Sequence, residues 1–506
     1  MKVNYPEMII RKSSGINKSE EYVGRLCNDT FLSFWSFPNT YRNQGHSNMV
    51  GTNAKGDGKE LCDLLVVFQN HIIIFSDKNC AFPASGNIEI DWRRWYKKSI
   101  ANSAKQIYGA ERWLLERPDS IFLDKDCSNP FPFLIPSKEE AVIHRIVIAQ
   151  GASDECRKYM DGAGSLSFDS RIVGSSTPFT VGHINRSKGF IHIFDDVTLG
   201  TIMQTLDTVT DFITYLAKKE AFFSEHEILL VAGEENLLGN YLTTMTENGE
   251  RWFSDRSVEN ASGVLVLDDH WEAFCVHPSR ITQIEANQVS YLWDELIERF
   301  TQHISTGTSE YVSHPELEVQ NKIFQFLAKE HRTKRRFLSE ILLGALLKTP
   351  PTHKMTRIVT PTAPGEPHYI FLIMPCESEI AGTHEEYRQA RRTLLRDYVC
   401  VVKKDCPEAV DIIGIAVDNL ANPNRSEDIV YLDAHTWTEE DENHATQTKQ
   451  WLTENGLLVE RKMYSKTVQE YPDPYNQQNV QRVKGKDRNK PCPCGSGSKH
   501  KKCCGT

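Results

Sequence analysis

Residues 60–78, ELCDLLVVFQNHIIIFSDK, constrain the fold more than any other stretch of the chain. Side chains alternate across a strand, so Asp63, Leu65 and Val67 share one face while Leu64, Val66 and Phe68 share the other. Both faces are apolar almost throughout, which calls for a hairpin covered on both sides rather than a sheet with one wet face. If Gln69 and Asn70 form a two-residue turn, Phe68 lies opposite His71 and Asp63 opposite Ser76, with Lys78 further along the same face. A three-residue turn over Gln69, Asn70 and His71 instead sets Asp63 against Asp77 and turns Lys78 away, and a bulge near residue 76 would bring all three together. A buried carboxylate is costly unless it is paired or bound to a metal, so acids in this setting need a partner.

The rest of the chain extends this α/β pattern. At 506 residues it is too long for one ordinary core, and two to four domains are expected. A helical pattern near 19–36, the hairpin and a helix over about 91–117 fill residues 1–135. Between 136 and 310, strand-like VIHRIVIA, GFIHIFD and HEILLVAG alternate with helices. In TLGTIMQTLDTVTDFITYLAKKE, Leu199, Ile202, Leu206, Val209, Ile213 and Leu216 recur every three or four residues, which predicts one amphipathic helix. Residues 311–460 open with the helical ELEVQNKIFQFLAKEHRTKRRFLSEILLGALLK and repeat the helix–strand alternation. Residues 461–487 are polar and basic and read as a flexible linker. The reading is thus mixed α/β and multidomain, with 136–310 and 311–460 as further α/β domains of unassigned role.

No signal-peptide core and no stretch of membrane-spanning length is evident, so a cytoplasmic protein without a membrane partner is expected. The net charge of −10 argues against coating nucleic acid by charge alone and leaves only local contacts. Nine of the thirteen cysteines are scattered without the spacing of a disulfide framework.

The other four crowd the end. PCPCGSGSKHKKCCGT places Cys492 and Cys494 one residue apart and Cys503 and Cys504 side by side. Four thiolates suit a closed tetrahedral Zn²⁺ site, and so short a segment would fold only around the ion. This tail, residues 488–506, resembles the SEC-C motif, the zinc-binding tail first known from the bacterial translocation ATPase SecA. The family's last ligand is Cys or His, which matches Cys504 and leaves His500 as a bystander. The resemblance implies a docking module, with Lys499, Lys501, Lys502 and the basic linker facing nucleic acid, the ribosome or an acidic protein.

The hairpin with its acids and lysine resembles the core of PD-(D/E)XK nucleases, the restriction-endonuclease-like class, in which an acid on one strand faces Glu/Asp-x-Lys on the next and a helix follows. The resemblance implies an N-terminal mixed sheet with flanking helices, and a Mg²⁺ or Mn²⁺ ion held by carboxylates beside the scissile phosphate. By matching position, Asp63 is the metal ligand and Lys78 the catalytic lysine, with Asp77 adjacent. Glu20 or Glu21 on the preceding helix supplies the extra acid, and Gln106 corresponds to a polar helix residue near the phosphate. Ser76 departs from the pattern, standing where the second acid belongs.

Weaker signals are explained more simply. Asp195-Asp196 and Asp268-Asp269 end strands and fit helix caps or turns better than a second acidic site. His331, Arg332, Lys334, Arg335 and Arg336 form a basic helical cluster that suits a phosphate backbone, or a solvated face. The leading expectation is a metal-dependent nuclease acting on nucleic acid, by analogy in bacterial anti-phage defence. The rival is a non-catalytic adaptor with a degenerate nuclease fold that docks a protein or ribosomal partner through its tail.

Overall fold

A computed structural model describes residues 10–12, 17–44, 58–254, 263–266, 268–307, 316–376, 382–422, 425–458 and 466–473. In chain order the strands are β1 (Ser36–Arg42), β2 (Lys59–Phe68), β3 (His71–Asn79), β4 (Ile121–Phe122), β5 (Val142–Gln150), β6 (Ser167–Val173), β7 (Thr180–His183), β8 (His192–Asp195), β9 (Leu229–Val231), β10 (Val264–Val266), β11 (Met355–Val359), β12 (His368–Met374), β13 (Asp411–Asp418) and β14 (Glu427–Asp433). They form three sheets, ordered β4-β1-β2-β3-β5-β8, β10-β9-β6-β7 and β11-β12-β13-β14. The mixed α/β, multi-sheet class expected from the sequence is what the chain adopts.

In the first sheet β1, β2 and β3 are antiparallel, whereas β3, β5 and β8 run parallel. The parallel step from β3 to β5 requires a crossover, and residues 88–116 supply it as a nearly continuous helix with a π-helical turn at Lys97–Ala101. The helix Lys18–Phe31 starts where Asn17 accepts hydrogen bonds from the amides of Ser19 and Glu20, satisfying two otherwise orphaned donors. It covers the face of the sheet opposite the crossover helix. Phe31 at its end packs against Phe75 of β3 and Phe212 of the helix Val209–Glu225, at ring separations of 6.0 and 5.1 Å. Both faces of the hairpin are therefore dry, and from β2 Leu61 to β3 Asp77 only the turn, Gln69 to His71, is not fully buried.

The first sheet does not end near residue 135. β5 and β8 extend it to Asp195, so the expected division at 135/136 falls inside a single hydrogen-bonded ladder. The apolar interior is continuous beyond it: Trp293 donates its indole N–H to the carbonyl of Leu327 and packs edge-on against Tyr369 of β12 at 5.5 Å.

Two long helical patterns are each split. Leu199–Leu216 forms the helices Thr198–Thr205 and Val209–Glu225, because Thr208 caps the second helix by accepting from the Asp211 amide. Asp207 leaves the helical path to bind the Arg332 guanidinium at 2.9 Å. Likewise 317–348 breaks into Leu317–Lys329 and Arg332–Lys348, with His331 capping the second. The basic cluster is neither a solvated face nor a phosphate grip. Arg335 is fully buried and binds Asp294 at 2.6 Å, Arg332 binds Asp207 and Asp294, and Lys334 binds Glu366 at 3.0 Å.

Within the expected linker, the described residues 466–473 are pinned to the body. Tyr471 packs edge-on on Phe274, the Arg251 guanidinium donates to the Tyr471 hydroxyl at 3.1 Å, and Arg336 donates to the carbonyl of Gln469. Among the described residues no helix is long and apolar enough to cross a membrane, and the nine scattered cysteines are free thiols.

Candidate metal and phosphate site

The hairpin adopts the two-residue turn. Gln69 takes a left-handed φ of 53°, and Phe68 pairs with His71 in a ladder that runs to Leu64 and Phe75. Beyond Leu64 and Phe75 the pairing ends, and the candidate side chains sit at this fork between β2 and β3. No bulge is needed to bring them near one another. Ser76 and Asp77 point to opposite faces: the Ser76 hydroxyl donates to Gln106 on the crossover helix at 3.3 Å, whereas Asp77 accepts from Ser19 of the first helix at 2.5 Å.

Asp63 joins the two faces. Its Oδ2 accepts the Asp77 amide at 2.6 Å and the Lys78 Nζ at 3.4 Å, and the same Nζ donates to the Asp77 carbonyl at 3.0 Å. Lys78 keeps about a third of its side chain exposed while Asp63 is 9% exposed, so the ion pair sits at a boundary with solvent. Asp77 is held further by Gln150 at the end of β5, whose amide donates to Oδ1 at 2.9 Å and to the Ser19 hydroxyl at 2.9 Å. Glu20, Val23, Asp63, Leu64, Phe75 and Asp77 together line a shallow cavity with room for about one water molecule. The structure thus places Glu20, Asp63, Asp77 and Lys78 around the fork, with Gln106 on the far face, where it accepts from Ser76.

The electrostatics are unbalanced toward negative charge. Glu60, at the start of β2, hydrogen-bonds to Asp63; desolvation, that bond and the Asp63 charge push its carboxyl up to about 7, against the pull of Lys78. Burial and the Asp63 charge also raise Asp77, opposed by its bonds from Ser19 and Gln150 and by Lys78. Three carboxylates, Glu60, Asp63 and Asp77, therefore act on one ammonium group, and Glu20 lines the same cavity. Two like charges this close resist joint ionisation unless a cation joins them. Oxygen donors facing a shallow cavity with surplus negative charge suit a hard divalent ion. The carboxylates are spread rather than clustered: the sets of three ligand-type side chains whose donor atoms lie within 4.8 Å of one another, among the described residues, do not include Asp63, Asp77 or Glu20.

Glu60, Ser19 and Gln150 escaped the sequence reading. Glu60 stands three residues before Asp63 at the strand's exposed start, where a carboxylate looks like an ordinary solvated end. Ser19 and Gln150 reach Asp77 only because the first helix and a parallel strand far along the chain converge on β3, a long-range pairing that local pattern does not encode.

The four tail cysteines, Cys492, Cys494, Cys503 and Cys504, lie outside the described residues. Residues 488–506 match the family model of the SEC-C motif, in agreement with the reading of the tail. No curated protein and no solved structure matches the chain.

Proposed function

We propose that the protein is a metal-dependent nuclease whose site is the fork between β2 and β3. The observation that carries the reading is the Asp63–Lys78 pair at the edge of a cavity shared with Asp77 and Glu20. The order helix, three antiparallel strands, crossover helix and parallel strand supports it as well, since that is the layout expected of a PD-(D/E)XK core.

Asp63 and Asp77 would hold Mg²⁺ or Mn²⁺, with Glu20 and Glu60 as additional acids. Such an ion supplies Lewis-acid polarisation and a lowered water pKa when bound. Lys78 presents a compact cation that neutralises charge on a phosphate oxygen, and its two acceptors, Asp63 and the Asp77 carbonyl, fix where that cation stands. Gln150 and Ser19 hold Asp77 in one rotamer, which limits the reorganisation a bound phosphodiester requires. In the tail, Cys492, Cys494, Cys503 and Cys504 would bind zinc as a structural knuckle that docks the enzyme to nucleic acid, a ribosome or a protein; a role in defence against phage follows by analogy with the company such nucleases keep.

The test is cleavage of single- and double-stranded DNA and RNA by the full chain with Mg²⁺ or Mn²⁺. Asp63→Ala and Lys78→Ala should each abolish cutting while far-UV circular dichroism stays unchanged. One observation favours the adaptor reading instead, namely Ser76 in place of the second acid. Absence of cleavage on every substrate, together with partner binding that is lost on deleting 488–506, would establish that alternative.

A further inference from the structure

The first sheet carries a second cluster at its opposite end. His71 opens β3, His144 lies near the start of β5 and His192 starts β8, and the parallel registers bring them to one margin: His144 is level with Ile73, and His192 with Ile146. All three share the face that carries Asp77, roughly 20 Å away along β3 from the proposed nuclease fork. The helix Val209–Glu225 crosses this margin and adds Glu220.

The contacts converge on one carboxylate oxygen. Glu220 Oε1 is 2.9 Å from His192 Nε2 and 3.9 Å from His144 Nδ1. Donor atoms of His144, His192 and Glu220 all lie within 4.8 Å of one another. His144 and His192 are 1% and 0% exposed, and the Nδ1 of each has no hydrogen-bond partner among the described residues. An unpaired ring nitrogen in such a setting is expensive, and for His144 it is the nitrogen that faces Glu220. Two ligands of a tetrahedral ion with bonds near 2.0–2.1 Å stand roughly 3.3 Å apart, a spacing the two Glu220 distances bracket.

The surroundings suit a ligand set. The other His144 nitrogen, Nε2, is 3.0 Å from His71 Nδ1, the outer hydrogen bond that metal-binding imidazoles ordinarily make and that fixes which nitrogen keeps its lone pair. The neighbouring cations are already neutralised: Arg145 pairs with Glu111 at 2.5 Å and Lys219 with Glu234 at 2.5 Å. Phe190 packs on His192 at 5.0 Å. Glu220 is about a third exposed and His71 partly so, which leaves a route from solvent.

We propose that His144, His192 and Glu220 bind a divalent transition-metal ion of the zinc and cobalt class, with His71 as a positioning residue behind His144. Two imidazoles and one carboxylate select such an ion over Mg²⁺, which prefers oxygen ligands and retains its water. Three protein ligands leave a fourth position for water or another small donor.

The experiment uses the full chain carrying Cys492→Ser and Cys494→Ser, stripped with chelator and titrated with Co²⁺ in excess Mg²⁺ so that oxygen-rich sites are occupied. One equivalent of Co²⁺ should bind, with weak d–d absorption and no thiolate charge-transfer band, and Zn²⁺ should compete and raise the thermal midpoint. Glu220→Gln, at a partly exposed position that tolerates change, should weaken binding by at least about tenfold, and His71→Ala by about 10–100-fold with the spectrum retained. No Co²⁺ bound by the folded parent protein, or binding unaltered by both substitutions, would overturn the proposal and leave Glu220 as a simple hydrogen-bond partner of His192.

Discussion

Charged groups meet at the strand ends of both the first and the third sheet, and the contrast between the two places is instructive. In the third sheet Arg391 is fully buried and binds Asp428 at 2.7 Å and also Asp418. Arg388 adds a second contact to Asp428 at 2.8 Å. Asp418 receives the Tyr387 hydroxyl at 2.7 Å and the Ser426 amide at 2.8 Å. Both acids are buried and hydrogen-bonded on both oxygens. At the fork of the first sheet one lysine, partly exposed and 3.4 Å from Asp63, faces a surplus of carboxylates around a cavity. Saturated charge fixes a structure, whereas unsaturated charge beside open space is the mark of a binding site.

The largest break in this comparison should come from the saturated side. Arg391→Met leaves buried Asp418 without its guanidinium and Asp428 with Arg388 alone, and should cost about 3–5 kcal/mol, visible as an early transition in urea unfolding. Asp63→Asn keeps an oxygen for the Asp77 amide and should shift stability by no more than about 1 kcal/mol, yet reduce any Mg²⁺-dependent cleavage by at least about 100-fold. A result with the two reversed, a silent Arg391→Met and an unfolded Asp63→Asn, would invert the assignment of structure and site.

Ser76→Asp sharpens the comparison by adding the absent acid at a fully buried position. In chelator the new carboxylate should destabilise the protein by about 2–4 kcal/mol, and saturating Mg²⁺ should return about 2–3 kcal/mol of that; recovery is read from the unfolding midpoint with and without metal. An equal loss in both conditions would show that residue 76 does not face the ion.

The smallest effect concerns Glu60. Its carboxyl is raised from 4.5 to about 7 in the folded protein, so folding favours the protonated form. The stability this contributes is present below the unfolded value and is lost as pH rises through about 7. Glu60→Gln should therefore flatten the decline in stability between about pH 4.5 and 7, measured by denaturant unfolding at several pH values, and Mg²⁺ should shift the wild-type decline to lower pH.

Much of the hairpin was legible from its two nearly unbroken apolar runs, which two-sided burial requires, whereas the choice between its two registers depended on the turn at Gln69-Asn70 that only the structure decides. The helix over 88–116 was legible from its stripe of Ile100, Ala104, Ile107, Ala110 and Leu114, all buried. What local pattern concealed were the decisions made by distant partners. Leu206 and Val209 keep helical spacing across a break that Arg332 enforces from far along the chain, and the basic run 331–336 looks solvated until Asp207, Asp294 and Glu366 are brought to it. The site was legible in its acids and lysine, but not in Glu60 or Gln150, whose roles depend on which strands become neighbours. His144 and His192 gave no signal for the same reason: only a parallel crossover makes them adjacent.

The docking of Tyr471 against Phe274 and Arg251 sets a leash for the cysteine-rich end. Whatever path the intervening chain takes, full extension from residue 473 cannot carry residue 488 further than about 50 Å from that anchor. A partner, if the proposed docking role holds, would be confined to a volume equivalent to a concentration on the order of millimolar near the body of the molecule. Weak encounters with the rest of the surface would thereby become frequent ones.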